Sequence, residues 1–145
     1  MIPSKGRFMM QDLQRFARRY QVPMRFNPHF PLNTLLLMRM ATGLQLRQPE
    51  RFEHFVATVF RAIWVDAMNL ADSAVLAKVL LDAGFEPEAM LALASEPPVK
   101  DQLKAVTEEA VSRGVFGAPC MFVGDELFFG QDRLDFVREA LLAAG

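Results

Sequence analysis

A chain of 145 residues, 52% of them hydrophobic, is long enough for one well-packed domain and too short for two large ones. Its 16 basic and 17 acidic side chains leave a net charge of -1, which gives no electrostatic ground for a nucleic acid or a membrane surface as partner. The single cysteine rules out an internal disulfide and a C-x-x-C pair within this sequence. No uncharged run reaches the roughly 18 residues needed to cross a bilayer, so a reducing, cytoplasmic setting is expected.

From Lys5 to about Tyr20, Phe8, Met9, Leu13, Phe16 and Ala17 recur at helical spacing, and Arg15, Arg18 and Arg19 fall on a solvated face. Pro23 and Pro28 then interrupt helicity, so Met24-Arg25-Phe26 reads as a short strand or an extended segment. Asn27 to Pro31 is a proline-stiffened loop. Its setting leaves two readings of Asn27 open, a ligand contact or an Asx-turn satisfying local backbone donors, while His29 reads as a partly exposed loop residue.

Leu32 to Leu46 is an apolar helix, expected to be largely buried, which Gly43 weakens near its end. After Pro49, a good first-turn residue, Phe52, Phe55, Val56, Val59, Phe60 and Ile63 follow the i, i+3, i+4, i+7 rule almost without fault. Helices follow over Ser73 to Ala83, stopped by Gly84, from Glu86-Pro87 through Leu93, and from Pro97-Pro98 to Arg113, the last with Leu103, Val106 and Ala110 on its inner face.

The C-terminal stretch changes character. Gly114 stops the long helix, Gly117-Ala118-Pro119 forces a turn, Cys120 to Val123 forms a strand, Gly124-Asp125 reverses it and Leu127-Phe128-Phe129 returns. Asp132 is placed to cap a final helix that begins near Arg133. Cys120, opening a strand, reads as a small buried hydrophobe rather than a nucleophile.

A helix, a Gly-x-Pro loop, a hairpin and a final helix resemble the C-terminal half of a thioredoxin-like domain. The run Val115-Phe116-Gly117-Ala118-Pro119, with Phe129-Gly130-Gln131-Asp132-Arg133-Leu134 after the hairpin, is sharper. It resembles the 2-hydroxychromene-2-carboxylate isomerases and the related kappa-class glutathione transferases. Lys5-Gly6-Arg7-Phe8-Met9 with Asp12-Leu13, and Asn27-Pro28-His29-Phe30-Pro31, match the same family in the same order. The resemblance implies an α/β, thioredoxin-like domain of DsbA and kappa type spanning 1–145. Residues from about 32 to 96 form an all-helical insertion, about 97 to 145 the thioredoxin-type helix-hairpin-helix, and a ligand site is expected in a crevice between the two parts. Family members begin with a strand, a turn carrying a serine, and a helix; here Met1 to Ser4 lead straight into Lys5, so a truncated chain lacking that serine is expected, and Ser4 is not its counterpart.

The same resemblance implies glutathione as cofactor. Ala118 matches the residue whose backbone pairs with the tripeptide, Pro119 the cis-proline, and Gln131 with Asp132 the pair that receives the glutamyl end; Lys5 and Phe8 match positions near the peptide and Asn27 a substrate contact. The activity implied is glutathione-dependent isomerisation of a small aromatic 2-oxo acid in aromatic-compound breakdown, by a homodimer. The alternatives are a kappa-class glutathione transferase, a thiol-disulfide oxidoreductase of the same superfamily, or a non-catalytic binding module.

Overall fold

The computed structural model describes residues 3–144; the expectation about the start of the chain at Met1 and Ile2 lies outside them. The described residues form α1 (Pro3–Tyr20), α2 (Leu35–Arg47), α3 (Phe52–Trp64), α4 (Ser73–Asp82), α5 (Pro87–Ser95), α6 (Pro97–Ser112), a hairpin of β1 (Cys120–Val123) and β2 (Glu126–Phe129), and α7 (Leu134–Ala144). One-turn 3-10 helices at Pro49–Arg51 and Gln131–Arg133 lead into α3 and α7. The chain divides into two compact units inside α6, after Lys100.

The first unit has its core among α2 to α5, where Met40, Leu44, Phe55, Leu80 and Phe85 are almost wholly enclosed. Each such side chain contributes about 1.5–3 kcal/mol through burial. The helix ends follow the chemistry of their residues. Asp72 caps α4, its Oδ1 accepting from Ala74 N at 2.8 Å and Val75 N at 3.2 Å, and Gly84 ends it at φ +76°. Pro49 opens the turn before α3.

The run expected to be largely buried is buried only in part. Leu37, Met40, Thr42, Gly43 and Leu44 are enclosed, whereas Leu35, Met38 and Leu46 are exposed, and Phe60 stands 61% exposed at the edge of the α3 stripe. Met24–Phe26 forms no strand. It has no regular secondary structure and is anchored where Arg25 N donates to the Trp64 carbonyl at 2.6 Å. On α6 the expected inner face fails at Val106, which is 49% exposed; the long polar stretches on that helix leave its apolar residues too sparse to define one stripe.

Gly43 has a packing role that its effect on helix propensity does not reveal. A Cβ there would stand 2.5 Å from Leu93 Cγ, so α2 and α5 approach through the missing side chain. Alanine favours the helix by roughly 1 kcal/mol, but the overpacking costs about 1–3 kcal/mol. Gly43→Ala is therefore expected to lower stability in denaturant unfolding, and adding Leu93→Ala should remove most of the clash; a stabilised single variant would show that propensity outweighs the contact.

In the second unit β1 and β2 pair antiparallel with Cys120 opposite Phe129 and Val123 opposite Glu126, which leaves Gly124-Asp125 as a two-residue turn. Gly124 has φ +58°, a value that glycine adopts without steric cost. α7 packs on β1. Arg113, at the end of α6, lies over the Phe122 ring at 3.7 Å and donates to the Gly124 carbonyl at 3.4 Å, tying the hairpin tip to the helix.

Candidate functional site

The hairpin brings four of the expected residues together. Gly130 N donates to the Pro119 carbonyl at 3.0 Å, continuing the ladder one step past Phe129, so the Ala118-Pro119 loop and the Gln131–Arg133 turn stand side by side. The Ala118-Pro119 peptide bond is cis, as expected; Phe30-Pro31 is cis as well, which the sequence reading did not anticipate. Ala118, Pro119, Gln131 and Asp132 are all exposed.

Three features make this corner receptive. Among the described residues β1 pairs with β2 alone and the backbone of Ala118 makes no hydrogen bond, so a free strand edge begins at the loop. The backbone N–H groups of Gln131 and Asp132 are likewise without a partner among those residues, at the start of the turn that leads into α7; such unpaired amides attract carboxylates. Gly130 lies at φ +106°, and a Cβ on it would stand 2.6 Å from Asp132 Oδ1. The positive φ favours glycine here, and a side chain would also push the Asp132 carboxylate from its place.

Asp132 does not cap α7. It sits inside the 3-10 turn, where its carboxylate accepts no backbone N–H and instead takes Arg133 Nη1 at 2.6 Å. Both side chains of that pair are about half exposed, so it adds little to stability. What it does is hold an oriented carboxylate beside Gly130 with Oδ1 outside the ion pair. Sequence reasoning missed Arg133 and Gly130; the signal was the Gly-Gln-Asp-Arg order itself. It also missed the aromatic pair Phe116 and Phe129, whose centroids are 4.7 Å apart, and Gly117 beside it, where a Cβ would stand 3.0 Å from the Phe129 ring.

The remaining expected residues belong to the first unit. Lys5 and Phe8 are exposed neighbours one turn apart on α1. Asn27 is fully enclosed: Nδ2 donates to the carbonyls of Ile63 at 3.1 Å and Met68 at 2.8 Å, and Oδ1 accepts from His29 N at 2.9 Å. Its amide ties the proline-rich loop to the end of α3, and its expected substrate contact gives way to this structural role. Cys120 is half-buried and free. A pocket of about 250 Å³ with apolar walls lies between α2 and α3, with Phe30, Met38, Phe60 and Trp64 among its residues.

The model of the DSBA-like thioredoxin domain matches residues 1–142. The chain belongs to that family. A 2-hydroxychromene-2-carboxylate isomerase of Sphingobium xenophagum is 33% identical over 95% of this chain and 69% of its own length. One from Pseudomonas sp. (strain C18) is 30% identical over 92% of this chain and 61% of its own. Human glutathione S-transferase kappa 1 is 27% identical over 97% and 68%. A solved structure of 2-hydroxychromene-2-carboxylate isomerase superposes with a TM-score of 0.79 at 27% identity, covering 97% of this chain and 68% of that one. The chain thus spans about two thirds of the length of these relatives. The DSBA-like thioredoxin fold appears here as a mostly helical chain with a small two-stranded sheet, and the chain is 2-hydroxychromene-2-carboxylate isomerase-like. No helix among the described residues is long and apolar enough to cross a membrane.

Proposed function

We propose that this DSBA-like chain binds glutathione at the corner built by Ala118, Pro119, Gln131 and Asp132, and serves a glutathione-dependent isomerisation of a small aromatic 2-oxo acid of the 2-hydroxychromene-2-carboxylate kind. The observation that carries the reading is the juxtaposition of the free Ala118 backbone with the unpaired amides of Gln131 and Asp132 through the Gly130–Pro119 hydrogen bond. A peptide with a carboxylate and an ammonium at one end suits both features. Its backbone extends the strand edge, as in β-augmentation; its carboxylate meets the amides at the turn; its ammonium meets the Asp132 carboxylate that Arg133 orients.

When bound, glutathione supplies a thiol that can add to an unsaturated 2-oxo acid and leave again, dividing one difficult isomerisation into easier steps. The chain's own residues hold and aim the peptide: Ala118 fixes its extended direction, Gln131 and Asp132 its charged end, and Gly130 keeps the approach open. The human kappa-class relative supports transfer of glutathione to an aryl halide as the second reading.

Calorimetric titration of the chain with glutathione tests the binding. Asp132→Asn removes a charge-assisted hydrogen bond and is expected to weaken affinity about tenfold or more, an effect of about 1.5–3 kcal/mol, with little change in thermal stability because the pair is exposed. Equal affinities for the two proteins would remove Asp132 from the site. Isomerisation of 2-hydroxychromene-2-carboxylate measured beside conjugation of an aryl halide separates the two activities.

A further inference from the structure

The first unit has a second concavity, distinct from the aromatic-walled pocket. A cleft of about 330 Å³ lies between α2, α4 and α5, walled by Leu36, Leu76, Leu80 and Leu91, with Ser73 among its polar residues and Arg39 as its single charge. No lining residue is an acid. Arg39 is half-buried, yet among the described residues its guanidinium makes no hydrogen bond and no ion pair. Three arginines near the same helices are engaged, Arg47 with Glu96 at 2.9 Å, Arg51 with the Gly84 carbonyl at 2.7 Å and Arg61 with Asp66 at 3.3 Å, while Arg39 is the one that lines the cleft. No described side-chain nitrogen is both sealed from solvent and unpartnered, so the Arg39 guanidinium stays within reach of a ligand.

A guanidinium beside apolar walls, with no counter-ion, gains most from a carboxylate, which accepts two parallel N–H bonds in a partly desolvated setting. The leucine walls gain from an apolar body attached to that carboxylate. The volume falls at the lower end of the range for ligand pockets, about 300–1,000 Å³, which favours a short occupant. We propose that the α2–α4–α5 cleft binds a free medium-chain monocarboxylate, with its carboxylate on Arg39 and its apolar chain along Leu36, Leu76, Leu80 and Leu91. The carboxylate is the determinant: an alcohol of the same length forfeits the charge-assisted bonds, and an amine meets a like charge.

The test uses the whole chain, labelled with nitrogen-15 and titrated with octanoate below its micellar concentration in the absence of glutathione, so its outcome is independent of the glutathione reading. Saturable changes at the amides of α2, α4 and α5 are expected. Arg39→Gln, which breaks no hydrogen bond of the fold, should weaken octanoate about tenfold and bring it to the affinity that octanol shows for the unaltered chain. Leu91→Glu, at a position 45% exposed, supplies the cleft with its own carboxylate and should abolish the response while the spectrum remains that of a folded protein. The proposal is overturned if Arg39→Gln binds octanoate unchanged, if octanol and octanoate bind alike, if the changes centre on Trp64 and Phe60, or if they grow linearly without saturation.

Discussion

Asn27→Ala is expected to destabilise the chain by roughly 2–4 kcal/mol, because one buried and two part-buried partners lose their hydrogen bonds; an unsatisfied buried group costs about 1–3 kcal/mol and one that water can reach costs less. Those partners are the carbonyls of Ile63 and Met68 and the amide of His29. Asn27→Asp should be at least as damaging, since an acceptor oxygen would then face two carbonyls. Urea unfolding followed by circular dichroism measures both. A ligand-contact role for Asn27 predicts the opposite pattern, loss of substrate affinity at unchanged stability, and that result would return the residue to the site.

Phe85→Ala carries a comparable cost. The ring is 1% exposed and meets Phe55 edge-on at 5.7 Å and His54 face-on at 5.5 Å, with the Arg51 guanidinium 4.2 Å above it. Removing a buried phenylalanine costs about 3–5 kcal/mol, and here Arg51 and His54 also lose the surface that aligns them on the carbonyls of Gly84 and Ala83 at the end of α4. Phe85→Leu retains most of the volume and should cost less. Thermal unfolding of the two variants distinguishes this clamp from a loosely packed ring, for which alanine and leucine would differ little from the parent.

Within the site, the sequence was legible wherever backbone chemistry is local. Gly114, Pro119, Gly124 and the alternating hairpin residues each dictate their own conformation, so the loop, both strands and the turn follow from the residues alone. An acid near a helix start usually bonds to backbone amides, which is why the sequence points to a cap at Asp132; the intervening 3-10 turn and the adjacent Arg133 draw it elsewhere. Asn27 was ambiguous for a different reason. Its partners lie 36 and 41 residues away in the chain, and no local pattern announces them.

The helices, whose apolar spacing and caps are short-range properties, follow from the residues alone, as does the order of helix, loop, hairpin and helix that marks the family. Only the tertiary structure decided which apolar residues are enclosed, since Leu35, Met38 and Phe60 share the composition of their buried neighbours and differ only in what packs against them. It also decided that Gly43 is a contact, that Asn27 braces a loop and that Arg39 stands without a partner among the described residues. The physical reason is the same in each case: helix formation depends on residues three or four apart, whereas burial and hydrogen-bond satisfaction depend on segments brought together from distant parts of the chain.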